Sequence, residues 1–461
     1  MRVTIAKGQT LYQALEQNNI ILDRPCNGRG TCGGCAVEVD RIGRVKSCQF
    51  RLPGTYEVKL KNTIQFHTVM AQEEILPGEE ALRKQNTISI AIDIGTTTVA
   101  LMAYGYGKKC VRSFVNPQRK MGADVMSRIQ MANEGHADEL RELIMKRLLE
   151  SMEELVDEIL APQTEVTDSE PVVCRAAIAA NTTMGHILCG FSCEGLAAAP
   201  FSPVSLDLQR LHWEFGTERR IQCEAMVLPG ISAFVGGDIV SGLYTLDFVK
   251  KREPALLLDL GTNGEMALWT GSKLLVTSAA AGPAFEASDV AVYVHAAGIM
   301  KVLRECLAAH IIDEHGTLQP PYFEKGYPVV VNEEGGREKI AFLTQDDIRD
   351  IQMAKGAIRA GIEILLCRAG MEIGQIRHIY LAGGMGYYID TTDAGIVGLL
   401  PREYQGQMEA VGNSALKGAV RFLSELEQAE PEMSRIRELA REIVLADDAD
   451  FMERYVEYMN F

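Results

Sequence analysis

Cys26, Cys32, Cys35 and Cys48 lie in and just after the glycine-rich stretch RPCNGRGTCGGCAVEV, with five residues between the first two, two between the next and twelve before the last. Three thiolates from one loop and a fourth from a later segment are what a rhombic [2Fe–2S] cluster takes as ligands. The intervening Gly28, Gly30, Gly33 and Gly34 carry no Cβ, so backbone N–H groups can reach the cluster sulfurs and set its potential. Zinc fits this set less well, because structural zinc usually draws on two separated Cys-x2–4-Cys knuckles and no histidine stands nearby. Cys110, Cys174, Cys189, Cys193, Cys223, Cys306 and Cys367 are scattered through apolar stretches without ligand spacing and read as structural thiols.

A second chemistry is written twice. The run ISIAIDIGTTTVALMAY enters a Gly-Thr turn from an apolar strand and leaves as another strand, and about 165 residues later ALLLDLGTNGEMALW repeats the design. Such turns offer N–H groups and hydroxyls to an anion, while the aspartate at the strand end faces the metal that accompanies it. Asp93 with Gly95, Thr96, Thr97 and Thr98 forms one phosphate clamp; Asp259 with Gly261, Thr262, Asn263 and Gly264 forms the other. Between them AANTTMGH supplies Asn181 and Thr183, and a later LAGGMG turn offers Gly383 and Gly384 as bare backbone for an adenosine. No Gly-x4-Gly-Lys-Ser/Thr loop occurs, which excludes a P-loop enzyme. Asp238, in AFVGGDIVSGL, stands 21 residues before Asp259. On its own residues it fits the N-terminal cap of a helix.

The elements that must position these groups fall into two units. Residues 1–65 alternate as a small β-rich unit, with strands at 2–5, 36–39 and 56–60 and a helix at 10–17, which is the pattern of a β-grasp ferredoxin. Residues 66–86 are polar and weakly periodic and read as a linker. Residues 87–461 carry the two hairpins, whose repetition implies two duplicated lobes, and helical periodicity at 138–159 and 346–369 makes the class α/β. The tail from 424 reads as helix, strand and helix with a solvated face.

Composition narrows the function. A chain of 461 residues with 47% hydrophobic content is globular and too long for one core, and a formal charge of −16 disfavours nucleic acid and anionic membranes as partners. No stretch is apolar and long enough to span a bilayer, and the start MRVTIAKGQTLYQAL lacks an export pattern. Unpaired thiols in such number then point to the reducing cytoplasm.

The ordered set of phosphate turn, AANTTMGH, phosphate turn and GG turn resembles the actin-like ATPase superfamily, which includes sugar kinases, acetate kinase and chaperone ATPases. That resemblance implies a two-lobed ribonuclease-H-like fold closing on Mg-ATP, and a similarly placed aspartate is the sugar kinases' general base, so Asp238 reads equally as a general base or as a helix cap. With the cluster unit on the same chain, the sequence looks like the reductive activators of corrinoid-dependent methyltransferase systems. NPQRKMGADVMSRI, ANTTMGHILCG, APFSP, SAAAGPAFEAS and TQDDIRDIQMAKGAIRAGI agree with that family over most of 87–461. The resemblance implies electron transfer from the [2Fe–2S] cluster to a Co(II) corrinoid protein, restoring Co(I) for methyl transfer with ATP hydrolysis, and an unidentified low-potential donor that refills the cluster. Longer relatives carry an additional segment between the two units. The alternative is a small-molecule kinase with a redox-sensing ferredoxin domain, in which Asp238 serves as the base toward a hydroxyl or carboxylate acceptor. Two further alternatives are the activators of radical dehydratases, which share one [4Fe–4S] cluster between subunits, and an electron carrier with a decayed ATPase.

Overall fold

The structure, a computed structural model, describes residues 2–17, 36–40, 42–59, 76–161, 171–217, 219–261, 263–282, 284–287, 290–332, 338–404 and 406–461. Cys26, Cys32, Cys35 and Thr262 lie outside the described residues.

In the N-terminal unit, β1 (Arg2–Ile5), β2 (Ala36–Val39), β3 (Gly43–Lys46) and β4 (Gly54–Lys59) form one sheet in the order β1-β4-β2-β3. β1 alternates exposed and buried residues, as a strand with one wet face must. Its inward Val3 and Ile5 pack with Leu11 and Leu15 of the helix Leu11–Gln17 and with Val37, Val39 and Val58. That helix starts at a reciprocal cap, in which the Gln13 N–H donates to the Thr10 hydroxyl (3.1 Å) and the Thr10 N–H donates to the Gln13 side chain (2.9 Å). The unit thus has the expected strands at 2–5 and 36–39, and adds β3, a short polar strand without an apolar period.

Two larger sheets follow. The first contains β5 (Ile88–Ile94), β6 (Thr98–Gly105), β7 (Lys108–Val115), β8 (Val172–Ala180), β9 (Gln209–Phe215) and β10 (Ile221–Val227) in the order β7-β6-β5-β8-β10-β9. Next in the chain come β11 (Ala255–Leu260), β12 (Gly264–Trp269), β13 (Leu274–Ala279), β14 (Tyr327–Asn332), β15 (Glu338–Leu343), β16 (His378–Ala382), β17 (Gln407–Gly412) and β18 (Ala440–Glu442). The second sheet runs β17-β16-β11-β12-β13-β18, and β14 and β15 form a separate ribbon. Three antiparallel strands followed by two parallel ones recur as β7-β6-β5-β8-β10 and β13-β12-β11-β16-β17. The duplication read from the two hairpins is therefore a duplication of whole lobes.

Strand alternation sorts the apolar residues into layers. Ile90, Ile92 and Ile94 of β5 face an outer core built on the helix Ala137–Leu160, through Leu140, Ile144, Leu148, Met152, Leu155 and Ile159. Leu256 and Leu258 of β11 face a second outer core with the helix Gln345–Ala369. Ala91 and Leu257 turn the other way, into a central core that the sheets share with the helices Gly237–Thr245 and Ser414–Ser424. These two helices cross at very short range. A Cβ on Gly418 would lie 2.1 Å from the Ser241 carbonyl oxygen, and the Ser241 hydroxyl donates to the Ala415 carbonyl at 2.7 Å. Only glycine permits that approach.

The stretch expected as a linker is partly built into this body. Glu79–Lys84 is helical, Leu82 is 0% exposed in the central core, and buried Glu79 pairs with Lys109 at 2.9 Å. The polar face of so short a helix hid its apolar contacts. Replacing Leu82 with Ala should therefore lower the stability of the ATPase lobes by about 2–5 kcal/mol in denaturant melts; a substitution in a free linker would leave the midpoint unchanged.

Candidate functional site: a carboxylate cleft between two phosphate turns

Both hairpin aspartates sit at strand ends facing one cleft. Asp93 lies near the end of β5 and pairs in register with Ala179 of β8; Asp259 lies near the end of β11 and pairs with Ala382 of β16. Gly383 follows Ala382 with φ +80°, and a Cβ there would stand 2.6 Å from Asp259 Oδ1 and 2.7 Å from the Leu260 carbonyl oxygen. The GG turn is thus pressed against the second phosphate aspartate, while a Cβ on Gly384 would meet nothing within 4 Å. That leaves room against the backbone for a flat ligand.

The first phosphate turn is held from behind. Gly95 N–H donates to the Thr98 carbonyl at 2.9 Å, so Gly95 shapes the turn. Asn116 Nδ2 donates to the Gly95 carbonyl at 2.8 Å, and the Arg128 guanidinium, wholly buried, donates to the Thr96 carbonyl and, at 2.9 Å, to that of Gly122. Thr96 itself is buried, its hydroxyl accepting from Asn181 Nδ2 at 3.2 Å. Asn181 also caps the helix Thr182–Cys189 by accepting from Met184 N–H at 2.9 Å. The structure thus gives Thr96 and Asn181 internal partners, and Thr97 and Thr98 keep partial exposure. In the second turn Gly261 N–H donates to the Asn263 carbonyl at 3.0 Å.

Asp238 stands in the first turn of Gly237–Thr245, but the cap position belongs to Gly236. Its carboxylate accepts from the Ile239 N–H at 2.8 Å. It faces three other acids. Asp93 is raised to about 7, chiefly by burial with Asp238 adding to it, and a 2.7 Å hydrogen bond from Asn413 Nδ2 opposes the rise. Burial raises Asp238 to about 6. Burial and then the charges of Asp238 and Asp93 raise Asp259 to about 8. Glu265, directly opposite Asp259 across the β11–β12 pair, lies well above its ordinary value through burial and then through Asp238 and Asp259, with the Asn263 side chain opposing. Among the described residues, no Lys or Arg acts on any of the four.

Sequence reasoning missed Asn413, Glu265, Asn116 and Arg128. Asn413 carries a visible signal, an asparagine ahead of the apolar helix SALKGAV that it caps through Leu416 N–H. Its bond to an aspartate 320 residues away carries none.

The cleft fits a cation that arrives with phosphate. No three His, Cys, Asp or Glu side chains among the described residues are arranged to hold a metal by themselves. A magnesium ion bound here would complete its shell from nucleotide oxygens and water, its ordinary habit. In the N-terminal unit, Cys48 is buried beside Tyr12 in the segment between β3 and β4, and Gln49 Nε2 lies 3.8 Å from its sulfur. The Leu11 and Tyr12 N–H groups donate to the Phe50 and Ser47 carbonyls at 2.8 and 3.0 Å, fixing that segment. A buried sulfur with a nearby N–H donor suits a cluster ligand. Of the other thiols, Cys110, Cys174, Cys193, Cys223 and Cys306 are buried, Cys189 is half-buried, and Cys367 is exposed on the last turn of its helix, outside the buried role expected for it.

Fold and cleft together define a two-lobed ATPase of the actin and sugar-kinase type that carries a ferredoxin-type unit. The chain belongs to the RACo family. Residues 88–251 match the RACo middle region, 253–297 and 291–461 match the C-terminal domain of RACo, the ASKHA domain, and 1–53 match the 2Fe-2S iron-sulfur cluster binding domain. It is 27% identical over 449 residues to the corrinoid activation enzyme RamQ of Eubacterium limosum, covering 85% of this chain and 73% of that one. It is 27% identical over 242 residues to the [Co(II) methylated amine-specific corrinoid protein] reductase of Methanosarcina barkeri, covering 44% of this chain and 45% of that one. Among solved structures, a reductive activator for corrinoid,iron-sulfur protein shares the fold with a TM-score of 0.68 at 22% identity, over 100% of this chain and 96% of that one. Among the described residues no helix is long and apolar enough to cross a membrane.

The raised carboxylates make stability depend on pH. Asp93, Asp238 and Asp259 hold their protons in the folded state to about 7, 6 and 8, against 3.8 as the ordinary value. Their stabilising contribution is present in full below the unfolded value and is lost as pH rises through the folded ones. Thermal melts of the nucleotide-free protein in chelator should show the midpoint falling between pH 5 and 8, and Asp259→Asn should flatten the fall; an Asp259→Asn curve parallel to wild type would contradict the coupling.

Proposed function

We propose that this chain performs ATP-dependent reductive activation of a corrinoid protein, returning an inactive Co(II) corrinoid to Co(I) for methyl transfer. The observation that supports this best is the joining, in one member of the RACo family, of an iron–sulfur unit with a cleft into which both phosphate aspartates face.

Cys26, Cys32, Cys35 and Cys48 would hold a [2Fe–2S] cluster, which supplies a one-electron carrier when bound. Reductant for it would come from a low-potential donor. Mg-ATP is the co-substrate. Asp93 and Asp259 would hold the magnesium from opposite lobes, Thr97, Thr98 and Asn263, with Thr262 expected from the sequence, would bind the phosphates, and Gly383 with Gly384 would leave space for the adenosine. Asp238, raised to about 6 and so mostly ionised at neutral pH, would orient a water and accept its proton during attack on the γ-phosphorus. Asn413 holds the Asp93 carboxylate in position through its 2.7 Å bond.

ATP is needed for a thermodynamic reason. Plant-type clusters lie near about −400 mV, and each ~59 mV by which the acceptor lies lower makes a one-electron transfer tenfold less favourable. Closure of the lobes on nucleotide can offset that deficit if the closed form binds the corrinoid protein differently in its two oxidation states.

Visible spectra of the reduced, cluster-loaded protein mixed anaerobically with a Co(II) corrinoid protein should show Co(I) only when Mg-ATP is present. Asp238→Asn should slow ATP turnover by about 100-fold or more, the range for a lost general base, while leaving the cluster spectrum intact. Cluster reoxidation without Co(I), across several corrinoid proteins, would reject the proposal.

A further inference from the structure

The ribbon of β14 and β15 is apolar on both faces. Register pairs Pro328 with Phe342 and Val330 with Ile340, so these four side chains share one face, and the alternate residues Val331, Ala341 and Leu343 share the other. The second face is accounted for: Val331, Ala341 and Leu343 are buried in the outer core of the second lobe. The first is not. Val330 is 64% exposed, Ile340 58% and Phe342 43%, with Pro328 exposed beside them. A strand pair with one wet face ordinarily alternates apolar with polar residues, and here the wet face carries Pro, Val, Ile and Phe, with the Asn332–Glu338 pair only at the end of the ribbon. Contiguous exposed apolar surface of this kind marks an interaction site.

Where the ribbon leads is informative. β15 ends at Leu343 and Thr344 caps the helix Gln345–Ala369, its hydroxyl accepting from Asp347 N–H at 3.2 Å and the Asp347 carboxylate accepting from Thr344 N–H at 2.9 Å. Midway along that helix, Ile358 Cγ1 would stand 2.9 Å from a Cβ on Gly264, the glycine that closes the second phosphate turn. One turn further, Gly361 admits the end of the Met266 side chain to 2.4 Å of where its own Cβ would be. The helix is therefore packed against the strand that leaves the phosphate turn, and its N-terminal end carries the ribbon. A shift of the turn on binding nucleotide would reach the exposed face through one rigid element.

We propose that the outward face of the β14–β15 ribbon, Pro328, Val330, Ile340 and Phe342, is where the corrinoid protein docks; the identity of this partner rests on the functional reading above. Size and charge favour it over a second copy of the chain. Four side chains offer on the order of a few hundred Å², against about 800 Å² per partner in a stable complex, whereas transient redox encounters use less. A formal charge of −16 on each copy also opposes self-association through so small a patch.

The test uses the full chain loaded with its cluster, with Val330→Glu and Ile340→Lys as separate variants and Val173→Glu, 59% exposed at wild type on β8 of the other lobe, as control. Three quantities are read: affinity for a Co(II) corrinoid protein by titration, ATP turnover without partner, and mass by light scattering. The expected result is binding weakened roughly tenfold or more in both ribbon variants, the scale for loss of an apolar anchor, with turnover and mass unchanged and the control like wild type. Ribbon variants that bind as wild type does would overturn the proposal. So would a wild-type dimer that the variants dissociate, which would assign the face to a second copy. Failure of the wild-type chain itself to bind any corrinoid protein would instead overturn the functional reading, and the choice of partner with it.

Discussion

Four carboxylates that face one another, with no counter-cation among the described residues, are the constraint on which the rest of this structure depends. Asp93 comes from one lobe and Asp259 and Glu265 from the other, while Asp238 opens a helix of the central core. Each is lifted above its ordinary range by burial, and Asp93, Asp259 and Glu265 also by neighbouring acids. Like charges in a recess of low dielectric repel strongly, so the arrangement persists only because the scaffold around it is stiff. The twin sheets supply that stiffness. Their strand ends set the aspartates, and buried Arg128 and Asn116 hold the turn that follows the first of them.

The same repulsion accounts for how the site would work. A chain that binds an anionic nucleotide between acids would need a cation to reconcile them, and such a cation would tie ligand binding to both lobes at once. The junction between lobes is suited to small movement: the helices Gly237–Thr245 and Ser414–Ser424 touch backbone to backbone at Gly418 and Ser241, and each carries a group of the cleft at its start, Asp238 on one and Asn413 on the other. A change at the carboxylates is therefore felt where the lobes meet, in keeping with rigid-body closure of two packed units.

Much of this was legible in the sequence, for identifiable reasons. Strong local signals survived: the Asp-x-Gly-Thr hairpins fell on β5–β6 and β11–β12, helices expected at 138–159 and 346–369 run over Ala137–Leu160 and Gln345–Ala369, and the tail is helix, strand, helix. The doubled hairpin revealed the duplication because a strand–turn–strand unit is written in contiguous residues. What failed was whatever depends on distant partners. Leu82 looked like a residue of a polar linker because its core neighbours come from other parts of the chain. Glu265 looked like one polar residue in an apolar strand, since only register sets it opposite Asp259. Asn413 reads as a helix cap, which it is, and its second bond, to Asp93, exists only in the folded lobes.

The most direct test of the central constraint is calorimetric titration of ATP into the protein at neutral pH, once with magnesium and once in chelator. The account predicts that binding is strong with magnesium and weakened by orders of magnitude without it, and that Asp259→Asn narrows the difference by removing a carboxylate that would face the magnesium. Equal affinity in the two conditions would mean that the carboxylates do not face the bound phosphates, and would contradict the account at its base.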